Sequence, residues 1–171
     1  MDNIMRRIIP VLIFSVLIFS VLEGCITTEK NNTEINTSTT EAPQTTPAKK
    51  EIAWIYDIDE AKQIAQKENK LILIDFNAAW CVWCKRMEED TYTDGDVIDL
   101  VNKNFVPVYF NLDIEANKQI YLENYDKYVH GALPTILILD SEGKPLYRIV
   151  GYKSVGQFTN ALTQILENEK K

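Results

Sequence analysis

Cys81 and Cys84, in the run Trp80-Cys81-Val82-Trp83-Cys84-Lys85, are the residues of this sequence best suited to chemistry. They follow the apolar segment Leu71-Ile72-Leu73-Ile74-Asp75-Phe76 directly. Two cysteines separated by two residues, where a strand gives way to a helix, can pass between dithiol and disulfide. The helix start lowers the pKa of the first thiol and leaves it exposed for attack. A pair of this kind exchanges electrons with the disulfides of other proteins. Two other uses of the spacing are weaker. A disulfide across so short a loop adds little stability as a staple. A zinc site needs two more ligands, and the sequence has one histidine, His130, and no second cysteine pair.

The elements that must position the pair are legible in the apolar pattern. Asp57 to Asn69 reads as a helix, with Asp57 and Glu60 at capping-box spacing and Ile58, Ala61, Ile64 and Ala65 on one face. Leu71 to Phe76 is nearly continuous apolar sequence, as in a buried central strand. The spacing predicts helices over Cys84 to Glu89, Asp96 to Asn102 and Glu115 to Tyr125, and a strand over Val106 to Leu112. Thr135 to Leu139 and Leu146 to Val150 flank the turn signal Asp140-Ser141-Glu142-Gly143 and read as an antiparallel hairpin. Ser154 and Gln157 open a final helix with Val155, Phe158, Leu162 and Ile165 inward. The order predicts an α/β domain: one mixed central sheet, parallel early and antiparallel late, flanked by helices.

Outside this domain, from about Glu51 onward, the sequence has a different character. The 171 residues carry a net charge of -7, and no Lys/Arg cluster is long enough for a nucleic-acid footprint. Arg6 and Arg7 precede an apolar run from Ile8 to Leu22, which fits a secretory signal and is short for a bilayer span of about 20 residues. Leu22-Glu23-Gly24-Cys25 resembles the lipobox of exported lipoproteins, except that Glu23 replaces the usual small residue. The resemblance implies a lipid-bearing Cys25; an uncleaved signal anchor is the alternative. Residues 26–50, rich in Thr, Asn and Glu, read as a disordered tether. Of the three cysteines, lipidation of Cys25 leaves one redox pair and no spare thiol.

Ile74-Asp75-Phe76, the Ala79 to Lys85 run and Gly131-Ala132-Leu133-Pro134-Thr135 together resemble the thioredoxin superfamily. The subgroup is the exported thioredoxin-like domains, including the C-terminal domain of membrane thiol:disulfide interchange proteins. There too the helix continues into an acidic and aromatic stretch, here Met87 to Tyr92. The resemblance implies a thioredoxin-like fold with Cys81 as nucleophile and Cys84 as the more buried resolving thiol. It makes Asp75 the buried acid that shuttles a proton to or from Cys84. Tyr109 stands near the place where thioredoxin itself has a lysine, which makes Asp75 harder to ionise. Pro134 matches the superfamily's cis-proline, leaving the backbone of Leu133 free to pair with a partner segment. Trp80 and Trp83 join this substrate surface, and Val82 and Trp83 tune the potential. Gly151 matches a glycine that lets the backbone turn.

The implied function is an exported, membrane-tethered protein-disulfide oxidoreductase, monomeric, with no cofactor beyond the Cys81–Cys84 disulfide. Its partners are protein thiols and disulfides, with an electron donor in the membrane and no nucleic acid. Likeness to reductant-delivering domains favours reduction. An oxidase or isomerase of the same fold, or a redox-inactive binding module, remains open.

Overall fold

Three helices of the domain start where a side chain turns back to accept the free N–H groups of the first turn. The computed structural model describes residues 50–170; the apolar start, Cys25, the tether up to residue 49 and Lys171 lie outside them. Asp57 opens α1 (Ile58–Glu68), its carboxylate accepting the N–H groups of Asp59 at 2.8 Å and Glu60 at 2.9 Å. Asn69, in the left-handed region at φ 51°, ends it. Cys81 opens α2 (Val82–Asp90), and Asp94 opens α3 (Gly95–Asn104) through bonds to the N–H groups of Asp96 and Val97. Both helices therefore begin earlier than the apolar spacing alone predicts, because the capping residue and not the first buried residue sets the start. Next come α4 (Glu115–Asn124), α5 (Asp126–Val129) and α6 (Val155–Asn168). The Ser154 N–H donates to Gln157 Oε1 at 3.1 Å at the start of α6. The four-residue α5 is too short to leave a periodic trace in the sequence.

The strands β1 (Leu71–Asn77), β2 (Phe105–Asn111), β3 (Thr135–Leu139) and β4 (Pro145–Val150) form one sheet in the order β2-β1-β3-β4. β1 pairs in parallel with β2, with Asp75 opposite Tyr109. The β1–β3 and β3–β4 pairs are antiparallel. This is the expected mixed sheet. Pro107 lies within β2, which is tolerated because β2 is an edge strand. Its carbonyl accepts the N–H of Ile55 at 2.8 Å, and Tyr109 donates back to Ile55 at 2.9 Å. The segment before α1 thus adds an isolated bridge to that edge.

The pleat sends alternate side chains of β1 to opposite faces. Ile72, Ile74 and Phe76 pack with α1 residues Ile58, Ala61 and Ala65, and with Tyr121, Tyr125 and Val129. Leu73 faces the other way, into a core with Met87 of α2, Val97, Ile98 and Val101 of α3, and Phe158, Leu162 and Ile165 of α6. Asp75 and Asn77 follow Leu73 on that second face and are buried. The sheet is therefore covered on both sides, and an acid lies inside one layer.

Phe76 is fully buried, with its ring 5.2 Å from Phe110, 5.7 Å from Tyr121 and 5.4 Å from Tyr125. Phe76→Ala is expected to lower stability by about 3–5 kcal/mol in urea unfolding. Leu122→Ala, at an exposed position of α4, is expected to change it by less than about 0.5 kcal/mol. Equal effects of the two would contradict this account of the core.

Candidate active site

Cys81 sits at the junction between the loop after β1 and the first turn of α2. Its N–H donates to the Ala78 carbonyl at 3.0 Å, which turns the chain into the helix. Its sulfur accepts the N–H of Cys84 at 3.1 Å and so caps the helix. The two sulfurs are bonded at 2.04 Å, with the Cα atoms 5.2 Å apart. In the reduced pair a Cys81 thiolate would face free N–H groups and the positive end of the helix dipole, both of which favour the charged form.

The expectation that Cys81 stands open to attack needs correction. Cys81 is 5% exposed and Cys84 3%, so the two hardly differ in burial. The cause is local: the Cys81 side chain folds back over the helix start, and Ala78 and Leu133 pack against the pair. What stands open is the rim, with Trp80 71% and Trp83 54% exposed.

The Leu133–Pro134 peptide is cis. The Pro134 carbonyl is taken by the N–H of Gly151 at 2.8 Å, and Gly151 sits at φ +75°, where a side chain would be strained. Leu133, packed beside the disulfide, makes no backbone hydrogen bond among the described residues. Its N–H and C=O are available to an incoming strand. His130 is exposed and caps α5 in the left-handed region.

Asp75 is 2% exposed. Its Oδ2 accepts the Asn77 amide at 3.2 Å, while Oδ1 has no hydrogen-bond partner. Burial pushes its pKa from 3.8 to about 7; the negative charge of Glu88 adds to the rise, and the Asn77 amide and the nearby Tyr92 hydroxyl oppose it. The Tyr92 hydroxyl is turned toward Asp75 but falls short of a hydrogen bond of good geometry. Glu88 is four residues beyond Cys84 on α2, so the two share one face of the helix above Asp75. The Tyr109 hydroxyl donates to Glu88 Oε1 at 2.7 Å. Where a lysine would favour the Asp75 carboxylate, this chain has a neutral phenol engaged elsewhere. Burial, with the Glu88 carboxylate, pushes that phenol above the ordinary tyrosine range.

The family model of the thioredoxin-like domain matches residues 58–166. The chain belongs to the thioredoxin-like family. It is similar to the thiol:disulfide interchange protein DsbD of Salmonella typhi, 30% identical over 116 residues, which are 66% of this chain and 20% of that protein. The DsbD of Pseudoalteromonas atlantica is 28% identical over 112 residues, 64% of this chain and 18% of that one. The chain thus spans about a fifth of the length of these relatives. Among solved structures, a DsbH oxidoreductase has a TM-score of 0.61 at 20% identity, covering 76% of this chain and 95% of its own. A thioredoxin from Thermus thermophilus has a TM-score of 0.58 at 21% identity, covering 68% and 88%. These two likenesses show the fold.

Within this thioredoxin-like domain the structure brings together Cys81, Cys84 and Leu133, with Pro134 next in the chain. Asp75 lies below α2, surrounded by groups that the motif reading does not single out: Asn77, Glu88 and Tyr92. Two of them carry a sequence signal. Asn77 is two residues beyond Asp75 in a strand, and Glu88 is four beyond Cys84 in a helix. Among the described residues no group of three or more His, Cys, Asp or Glu side chains is placed to hold a metal ion.

Asp75 makes stability depend on pH in a definite direction. Its folded pKa of about 7 lies above the ordinary 3.8, so the folded state binds the proton more tightly than the unfolded one. Stability is then greatest below about pH 4 for this group, and is lost as pH rises through 7. The loss is at most about 4 kcal/mol, from roughly three units at 1.36 kcal/mol each. Asp75→Asn is expected to gain stability over the native chain at pH 8 and not at pH 4, measured by urea unfolding of the disulfide form. An equal effect at both pH values would rule out a protonated acid here.

Proposed function

We propose that this chain is an exported, membrane-tethered protein-disulfide oxidoreductase that acts as a reductase. The observation that carries the reading is a disulfide at a helix N-terminus, its first sulfur held on a backbone N–H, beside a Leu133 backbone that makes no hydrogen bond among the described residues. The name of the DsbD relatives, thiol:disulfide interchange protein, supports the same chemistry. Export and tethering rest on Arg6, Arg7, the apolar run to Leu22 and Cys25, followed by a polar stretch long enough to act as a leash.

In the reduced domain, the Cys81 thiolate attacks one sulfur of a partner disulfide. A Cys81–partner disulfide forms, and the other partner sulfur leaves as a thiolate that takes up a proton. Cys84 then loses its proton and attacks the Cys81 sulfur. The Cys81–Cys84 disulfide forms, the second partner thiolate departs, and two electrons have passed to the partner. Asp75, held near neutrality by burial beneath the helix that carries Cys84, is the group suited to accept the Cys84 proton. Trp80 and Trp83 supply apolar contact to the partner. Leu133 supplies backbone pairing in the manner of strand addition, and Pro134 sets the direction of that backbone. An electron donor in the membrane returns the disulfide to the dithiol.

Cys84→Ser is expected to accumulate a mixed disulfide with a substrate protein, visible as a reducible band. Cys81→Ser is expected to form no adduct and to lose exchange. An adduct that forms equally well without Cys81 would remove the assigned nucleophile.

The direction of electron flow is read from the potential of the pair. Equilibration with glutathione is expected to place it toward the reducing end of the roughly -270 to -120 mV span of related proteins. A value near the upper end would make the chain an oxidant.

A further inference from the structure

The rim around the disulfide is asymmetric. Trp80 projects into solvent and takes part in no ring or cation contact among the described residues. Trp83 belongs to a closed cluster. Its ring lies 5.9 Å from that of Tyr152, and the Arg86 guanidinium lies 5.9 Å from the Trp83 ring and 5.7 Å from the Tyr152 ring. Both are within cation–π range. Asp90 closes the cluster, accepting Arg86 Nε at 3.1 Å and the Tyr152 hydroxyl at 3.3 Å. One carboxylate and one guanidinium cancel, so the cluster presents aromatic surface without net charge.

Its position ties it to the cis-proline loop. Tyr152 follows Gly151, whose N–H holds the Pro134 carbonyl. The Thr91 hydroxyl, at the end of α2, donates to the Lys153 carbonyl at 2.7 Å. The end of α2 is therefore joined to the chain after β4, and Trp83, in the first turn of α2, is held against Tyr152 of that chain while remaining exposed. A held aromatic ring gives contact area with little loss of side-chain freedom on binding. A segment that pairs with Leu133 and presents a sulfur to Cys81 must be extended, and Trp83 stands between the two cysteines. A side chain flanking the reacting cysteine is the part of such a segment within reach of an exposed ring two residues from Cys81.

We propose that the Trp83–Arg86–Tyr152 cluster is a specificity shelf selecting extended protein segments whose reacting cysteine is flanked by an aromatic or bulky aliphatic side chain. It rests on the oxidoreductase reading above and names the substrate class for that site. An acidic flanking residue meets cations that are already engaged: Asp90 holds Arg86, and the Lys153 ammonium donates to the Val150, Gly151 and Tyr152 carbonyls. A small one leaves the ring in water. Trp83 and Tyr152 set the preference; Arg86 and Asp90 position the rings.

The test compares rates of the full chain, reduced to the dithiol, on two disulfide-bonded peptides of equal length and charge. One has Phe beside the cysteine and the other Ser; glutathione disulfide serves as a small probe. The native chain is expected to favour the Phe peptide about tenfold in kcat/KM, equivalent to about 1.4 kcal/mol and within the range of an aromatic contact. Tyr152→Ala is expected to reduce that ratio below about threefold, while Tyr152→Phe, which keeps the ring, retains most of it. Damage to the fold would slow both peptides alike and leave the ratio standing. A native ratio near one, or a ratio that survives both Tyr152→Ala and Trp83→Ala, overturns the shelf. Reduction of glutathione disulfide with no peptide preference overturns the shelf alone; no exchange with any of the three disulfides overturns the oxidoreductase reading and the shelf with it.

Discussion

A sulfur atom caps a helix in this domain, and much of the site depends on that hydrogen bond. The first turn of any α-helix has N–H groups with no partner in the helix, usually satisfied by an oxygen from Ser, Thr, Asp or Asn. Here the Cys81 sulfur does so through the N–H of Cys84. The reactive group of the pair is thereby fixed at the positive end of the helix. The same bond draws the sulfur inward, which is why Cys81 is buried although its neighbours are not. In the proposed function, reactivity and accessibility are therefore divided: the Cys81 sulfur is sheltered, and the exposed Trp80 and Trp83 beside it are the surfaces proposed to meet a partner.

The buried acid is a cost that the fold carries beneath this helix. A carboxylate on β1 with one oxygen unpaired is disfavoured in its charged form; the Asn77 amide and the Tyr92 hydroxyl offset this only in part, and neither Glu88 nor Tyr109 relieves it. Glu88 adds negative charge from α2, and Tyr109 spends its hydroxyl on Glu88. The result is a group that holds a proton until about neutral pH. An apolar residue at this strand position would fit the core better. Packing does not account for an acid there; the proposed role of proton acceptor for Cys84 would.

Most of the scaffold was legible in the sequence. The unbroken apolar run of β1, the alternating helices and the turn between β3 and β4 each rest on periodicity within one segment, which sequence records directly. The helix start at Asp94 was less legible, since caps lie outside the apolar pattern, and the one at Cys81 was legible from the cysteine motif and not from that pattern. The four-residue α5 and the Ile55 bridge to the β2 edge were not. A single turn has no period, and a bridge between residues 55 and 108 has no local trace. In the site, the motif residues stood out by type and spacing. Asn77 and Glu88 could be reached only by asking which residues share a face with Asp75 and Cys84.

The sequence by itself determined the chemistry: a cysteine pair at a strand-to-helix junction, an acid inside an apolar strand, and a proline opening the strand at Thr135. These are matters of residue type and short spacing. Tertiary structure alone decided how those groups are held. It put the Cys81 sulfur under Leu133, closed Trp83, Arg86 and Tyr152 into one cluster, and set Tyr109 opposite Asp75 while turning its hydroxyl to Glu88. Apart from Trp83 and Arg86, one helical turn apart, these contacts join residues separated by twenty or more positions. Only packing of α2 and the strand ends against the same sheet brings them within reach, and no local pattern in the chain encodes which distant side chain will arrive there.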